Sequence, residues 1–249
     1  MRLLLLSLLL LFPAAAFAAD PPPGAKLYVY WGHSEALAHD TPSNAPRTIT
    51  HFDHIWVASG YSAAHTPTYD ATPQNYFADE LIIRGKATDV IMLHCRIRGW
   101  RDGVIGVVKA LPECASAVAG IKAKFGAVLA GAVTYCCAGD TLDVAKVEKF
   151  PYWFDQLHGN FIALTGAPSN MPFVVAMTPK ANNQRCRDMS STILSNISRV
   201  QKYQAAVDWP NTNVIPSPGK GFRVGGSGCY HLSASEQEAL GRNAAANMQ

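Results

Sequence analysis

Six short apolar runs, each followed by a longer stretch, constrain the possible folds of this chain more than any other feature. The runs are Leu27–Trp31, His54–Ala58, Val90–Cys95, Gly131–Cys136, Phe173–Thr178 and Asn213–Pro216. Several are apolar at successive positions, as in Val174-Val-Ala-Met177, the pattern of strands covered on both faces. The intervening stretches predict helices over Asn75–Arg84, Val104–Phe125, Val144–Leu164, Met189–Val207 and Ala234–Asn247. Ser233 with Glu236 three residues later forms a capping box that opens the last of them. Strands alternating with helices fold as a parallel sheet with helices on both faces. A three-layer α/β/α domain with a central, mainly parallel sheet is therefore expected. The segment from Ala38 to Thr72, rich in Pro, Thr, Ser and His, is expected to hold a strand and long loops beside the site.

The amino terminus reads differently. Met1-Arg2 is followed by a leucine-rich run to Phe12, and Ala16-Phe17-Ala18 supplies the small-x-small pattern of a cleavage site. The run is too short for a spanning helix. It predicts a signal peptide over residues 1–19, followed by a single domain over 20–249. The mature chain is expected to be secreted or periplasmic, with no membrane partner once the leader is removed, and monomeric. A net charge of +3, with no basic cluster interleaved with aromatics, argues against nucleic acid as a partner. Six cysteines, an even number, favour disulfides in a secreted chain. Cys95 with Cys114 ranks first, because a strand end and the following helix lie close together. Asn196-Ile197-Ser198 is a glycosylation sequon.

The chemistry starts at the first strand. Lys26–Trp31 runs into Gly32-His33-Ser34-Glu35, and the glycine lets the chain turn so that a serine hydroxyl sits at the strand's carboxyl end. In open parallel sheets ligands bind at that end, where strand order reverses. Gly32-x-Ser34 is similar to a nucleophile elbow, but an α/β-hydrolase draws an oxyanion donor from upstream of its nucleophile. Only the leader and a Pro-rich segment lie upstream here, so a flavodoxin-like hydrolase fits better. His231 stands before the last predicted helix as a candidate base.

These residues resemble the SGNH-type esterases, in particular the sialate O-acetylesterase-like branch (carbohydrate esterase family 6). Gly32-His33-Ser34-Glu35 stands where that branch has Gly-Gln-Ser-Asn. Cys95-Arg-Ile-Arg-Gly99-Trp100 matches its glycine turn, and Cys136-Cys137-Ala138-Gly139-Asp140-Thr141 its Gln-Gly-Glu stretch. Pro172-Phe173-Val174-Val175, Arg199-Val200-Gln201 and Ala239-Leu240-Gly241-Arg242 also find counterparts. Gly228-Cys229-Tyr230-His231-Leu232-Ser233 aligns with the closing Asp-Gly-x-His-Leu-Ser. The resemblance implies a secreted esterase that removes acyl groups, typically acetyl, from carbohydrate or related small esters, without a cofactor. Ser34 would attack, His231 would take its proton, and backbone N–H groups of Ser34 and Gly99 would hold the oxyanion. Gly32, His33 and Glu35 would flank the substrate.

Three departures from the family pattern concern catalysis. Gly228 stands in place of the aspartate that orients the histidine. Asp140 is the nearest substitute in the motifs, although a strand-to-helix turn is also where an aspartate caps a helix. The family's glutamine falls on Cys137 or Ala138, and Glu35 adds charge beside the nucleophile. A relative that keeps the fold and binds a glycan without cleaving it is the alternative. A thiol enzyme built on Cys137 or Cys229 is a third reading. His39, His51 and His54 complete no zinc triad, so no metal is expected. Trp31, Trp56 and Trp100 fall near strand ends, where each can stack on a sugar or pack in the core.

Overall fold

The computed structural model describes residues 20–32, 49–59, 62–65, 72–96, 102–181, 190–217, 220–224, 227–232 and 234–249. The expected leader lies outside them. Along the chain the first strands are β1 (Lys26–Gly32), β2 (Ile55–Ser59) and β3 (Ser62–His65), followed by α1 (Pro73–Ile83). Next come β4 (Val90–Arg96), α2 (Gly103–Phe125), β5 (Val128–Tyr135), α3 (Val144–Thr165) and β6 (Phe173–Ala176). The remainder is β7 (Lys180–Ala181), α4 (Ser191–Ala205), β8 (Thr212–Ile215), β9 (Lys220–Val224), β10 (Ser227–His231) and α5 (Ala234–Asn247).

Seven strands form the main sheet in the order β3-β2-β4-β1-β5-β6-β8. Six run parallel, and β3 closes one edge antiparallel to β2. Side chains alternate across the sheet, and the two faces have separate cores. Leu27, Val29 and Trp31 pack with α2 and α3 residues such as Val107, Ile121, Phe154 and Phe161. Tyr28 and Tyr30 pack on the opposite face with Phe77 and Leu81 of α1 and with Leu240 and Ala244 of α5. The three layers expected from the sequence are therefore present. Each fully buried Leu, Val or Phe in these layers contributes about 1.5–3 kcal/mol relative to exposure.

All six expected strands and all five expected helices form, α5 with the expected bounds and the others with at least one end shifted. α1 begins at Pro73, ahead of the expected Asn75. Thr72 caps it by accepting the Asn75 N–H at 3.2 Å, and Pro73 sits where its missing N–H costs nothing. α4 is shorter than expected, and Ser190 caps it by accepting the Ile193 N–H at 3.3 Å. β5 begins at Val128 rather than Gly131, because Lys26 to Gly32 of β1 pair with it along its whole length. α5 lies close on α1: a Cβ on Gly241 would come 2.2 Å from the Pro73 carbonyl oxygen. Four strands were not expected: β3, and a small sheet of β7, β9 and β10.

Among the described residues α2 alone is long and apolar enough to cross a membrane. Its apolar side is spent on the sheet and α3, through Val104, Val107, Leu111, Val118 and Ile121.

Candidate active site

From β1 the chain moves toward the β2 side of the sheet, and after β4 it crosses to β5 on the other side of β1. Strand order therefore reverses at the β1/β5 pair, and the crevice outside their carboxyl ends is the favoured place for a ligand. β1 ends at Gly32, two residues before Ser34. His33, Ser34 and Glu35 lie outside the described residues, as does Gly99 between β4 and α2.

His231 is the last residue of β10, opposite Phe222 of β9. β9 follows β8 and pairs with β7, which itself follows β6, so the ribbon borders the carboxyl end of the main sheet. From His231 the chain enters α5 through buried Leu232, whose carbonyl accepts the Gln237 Nε2–H at 2.9 Å. Gly228 lies inside β10, so an antiparallel hairpin rather than a free loop carries the histidine backbone.

The turn after β5 is built densely. Cys136 and Cys137 are bonded to each other, and Cys137 has φ 85°. A short 3-10 turn follows over Ala138–Leu142, held by Thr141 Oγ1 donating to the Ala138 carbonyl at 2.7 Å. α4 grips the same turn: Asn196, 2% exposed, donates Nδ2–H to the Thr141 carbonyl at 2.9 Å. The sequon asparagine is thus a packing residue, closed to glycosylation in the folded chain.

Asp140 is fully buried in this turn. It does not cap its own helix. Asp143 does that, accepting the Ala145 N–H at 2.9 Å. Asp140 instead crosses to α2, where Oδ2 accepts the Val104 N–H at 2.8 Å. The carboxyl lies against Gly103, which has φ +56°, and a Cβ there would be 2.1 Å from Oδ2. Only glycine meets both demands. Oδ1 has no hydrogen-bond partner among the described residues. Burial raises this carboxyl to about 7, outweighing the Val104 N–H and the pull of Lys146. Asp140 therefore ties the β5 turn to the first residues of α2.

Two groups that the sequence reading passed over also shape this end of the sheet. His94 Nε2 donates to the Gly32 carbonyl at 3.1 Å, fixing the last peptide of β1. A lone imidazole in the apolar run Val90-Ile-Met-Leu-His94 was the available signal. Thr178, after β6, donates Oγ1–H to the Cys136 carbonyl at 3.3 Å and its backbone N–H to Gln204 Oε1 at 2.8 Å. Gln201 donates to the Thr178 carbonyl at 2.7 Å, which gives the Arg199-Val200-Gln201 stretch a physical task.

Other candidates fall elsewhere. Trp31 and Trp56 are core residues at 1% and 3% exposure, and Trp100 lies outside the described residues. His51 and His54 pair separately, with Asp79 and Asp89, each at 3.0 Å; His39 lies outside the described residues. Among the described residues no three His, Cys, Asp or Glu are grouped to hold a metal. Cys95 pairs with Cys114 as ranked, and Cys137 is no free thiol.

No protein-family model matches the chain, and no curated protein matches its sequence. Solved structures do match. A protein from Arabidopsis thaliana superposes with a TM-score of 0.65 at 17% identity, over 90% of this chain and 97% of its own. A carbohydrate acetylesterase from Xanthomonas citri gives 0.59 at 11% identity, over 89% of this chain and 55% of its own. This chain therefore spans about half of that protein. A GDSL-like lipase candidate from Parabacteroides merdae gives 0.53 at 9% identity, over 91% and 98%. At such identities the likeness is one of fold, the three-layer α/β/α arrangement that this chain shares with them.

Proposed function

We propose that this chain is a serine esterase that removes acyl groups, acetyl foremost, from carbohydrate or a related small ester. The observation that supports this most is the position of β1: the strand ending two residues before Ser34 is the one at which sheet order reverses. The strand that ends at His231 borders the same end of the sheet. The fold shared with a carbohydrate acetylesterase is consistent with it. Two disulfides among the described residues suit an extracellular or periplasmic site of action, after removal of a leader over 1–19 from a domain of 20–249.

In this mechanism Ser34 Oγ attacks the ester carbonyl while His231 accepts its proton. Backbone N–H groups of Ser34 and Gly99 hold the oxyanion, with Gly32, His33 and Glu35 around the acyl group. His231 returns the proton to the departing sugar oxygen, then activates water to release the carboxylate from Ser34. No cofactor takes part. Asp140 bonds to α2, which lies on the opposite face of the sheet from α5, the helix that follows His231. We therefore assign Asp140 to positioning the start of α2, which follows Gly99 in the chain, and leave Ser34 and His231 as a dyad.

A chromogenic acetate ester tests this, with Ser34→Ala and Gly228→Asp beside the natural chain. Loss of turnover in Ser34→Ala is expected. Gly228→Asp should raise kcat, up to the roughly 10⁴-fold that an orienting aspartate supplies in a serine protease. Background activity in the natural chain, on acetate and longer acyl esters alike, would overturn the proposal.

A further inference from the structure

On the flank of the domain, away from the β1/β5 crevice, α3 and the segment after α4 line an open surface groove of about 470 Å³. It lies toward the amino-terminal ends of the strands, since Trp209 precedes the start of β8 by three residues. This volume suits a small ligand. Phe154, Tyr203 and Trp209 supply aromatic surface, and Asp155 and Asp208 supply carboxylates. Asp155 and Asp208 are exposed to solvent, and among the described residues no Lys or Arg lines the groove, although the chain as a whole carries a net charge of +3. Among the described residues neither aspartate forms an ion pair.

The aromatic wall is organised. Trp209 stacks on His158 with centroids 4.7 Å apart and planes 13° apart, and meets Phe154 at 5.0 Å. Its Nε1–H donates to Asp155 Oδ1 at 3.0 Å, which fixes the indole and the carboxylate together. His158 Nε2 is buried without a hydrogen-bond partner among the described residues. Burial holds this imidazole below its ordinary value despite the nearby Asp155. The wall is therefore acidic, with no balancing cation. Gly159 leaves open space: a Cβ there would meet nothing within 4 Å.

We propose that this groove binds a small organic cation, its positive head held by Asp155 and Asp208 and its apolar part against Trp209, Tyr203 and Phe154. Aromatic faces beside carboxylates bind substituted ammonium groups by adding cation–π attraction to charge pairing. A neutral molecule of the same shape would gain only the apolar contact. The site is separate from the proposed esterase centre, so neither depends on the other.

The test is calorimetric titration of the full mature chain with choline and with its neutral isostere 3,3-dimethyl-1-butanol. Saturable choline binding is expected, at least about tenfold tighter than the isostere. Asp155→Asn with Asp208→Asn should weaken choline by about tenfold or more. Gly159→Phe, which fills the groove without removing a polar group, should abolish binding while the chain keeps its far-UV spectrum. The proposal is overturned if choline does not saturate, if the isostere binds equally, or if either variant binds choline as the natural chain does.

Discussion

Asp140→Asn is the substitution whose consequence follows most directly from the geometry. Burial raises the carboxyl from 3.8 to about 7 in the folded chain. Between those values the unfolded chain has released the proton and the folded chain retains it. Stability therefore falls as pH rises through this window, by about 1.4 kcal/mol per pH unit, and levels off above about 7. The whole interval amounts to roughly 4 kcal/mol. Asparagine cannot ionise, and its side-chain oxygen can still accept the Val104 N–H. The two chains should thus be closest in stability near pH 4, and the variant should gain steadily, by up to about 4 kcal/mol at pH 8. Urea unfolding of both chains at each pH from 4 to 8, with disulfides intact, measures the difference. Other titrating groups cancel between the two curves. A difference independent of pH would mean that Asp140 is ionised in the folded chain and would refute the reasoning.

Asp140→Ala should destabilise by about 1–3 kcal/mol near pH 4, because the Val104 N–H loses its buried acceptor, and this deficit should shrink and then reverse toward pH 8, since alanine has no carboxyl to ionise; the same urea series reads it. Gly241→Val should cost about 1–3 kcal/mol or more, since even a Cβ would come 2.2 Å from the Pro73 carbonyl and force α5 away from α1; thermal melting detects the loss. Expressed in a glycosylating host, the folded chain should carry no glycan on Asn196, and intact mass would show one if the side chain were accessible. Asn196→Ala should instead destabilise by about 1–3 kcal/mol, because it removes the buried donor that Asn196 supplies to the Thr141 carbonyl.

The layered fold was legible because its signals are local and repeated. Continuous apolar runs mark strands covered on both faces, and the Val104–Phe125 and Val144–Leu164 stretches carried the helical period across almost their full lengths. Helix starts were less legible where the cap lay ahead of the periodic segment, as with Thr72, three residues before Asn75, and Pro73. The β7, β9 and β10 ribbon was missed because its strands are short and rich in glycine and polar residues, and only pairing at a distance defines them. At the site, the sequence marked the ends of β1 and β5 and the approach to α5. It could not show that Asp140 would serve the helix after β4 rather than its own, because that bond joins residues 36 positions apart. The link from His94 to Gly32, across 62 positions, was hidden for the same reason. Burial of the sequon asparagine likewise depends on how α4 meets the β5 turn.

Labelling with a fluorophosphonate, followed by peptide mass mapping, tests the proposed serine chemistry most directly, because the reagent captures only an activated hydroxyl. The expected result is one adduct on Ser34 of the natural chain, with no adduct in Ser34→Ala and markedly slower labelling in His231→Ala. An unlabelled natural chain, or an adduct on another serine with Ser34 unmodified, would contradict the assignment of this chain as a serine esterase acting through Ser34 and His231.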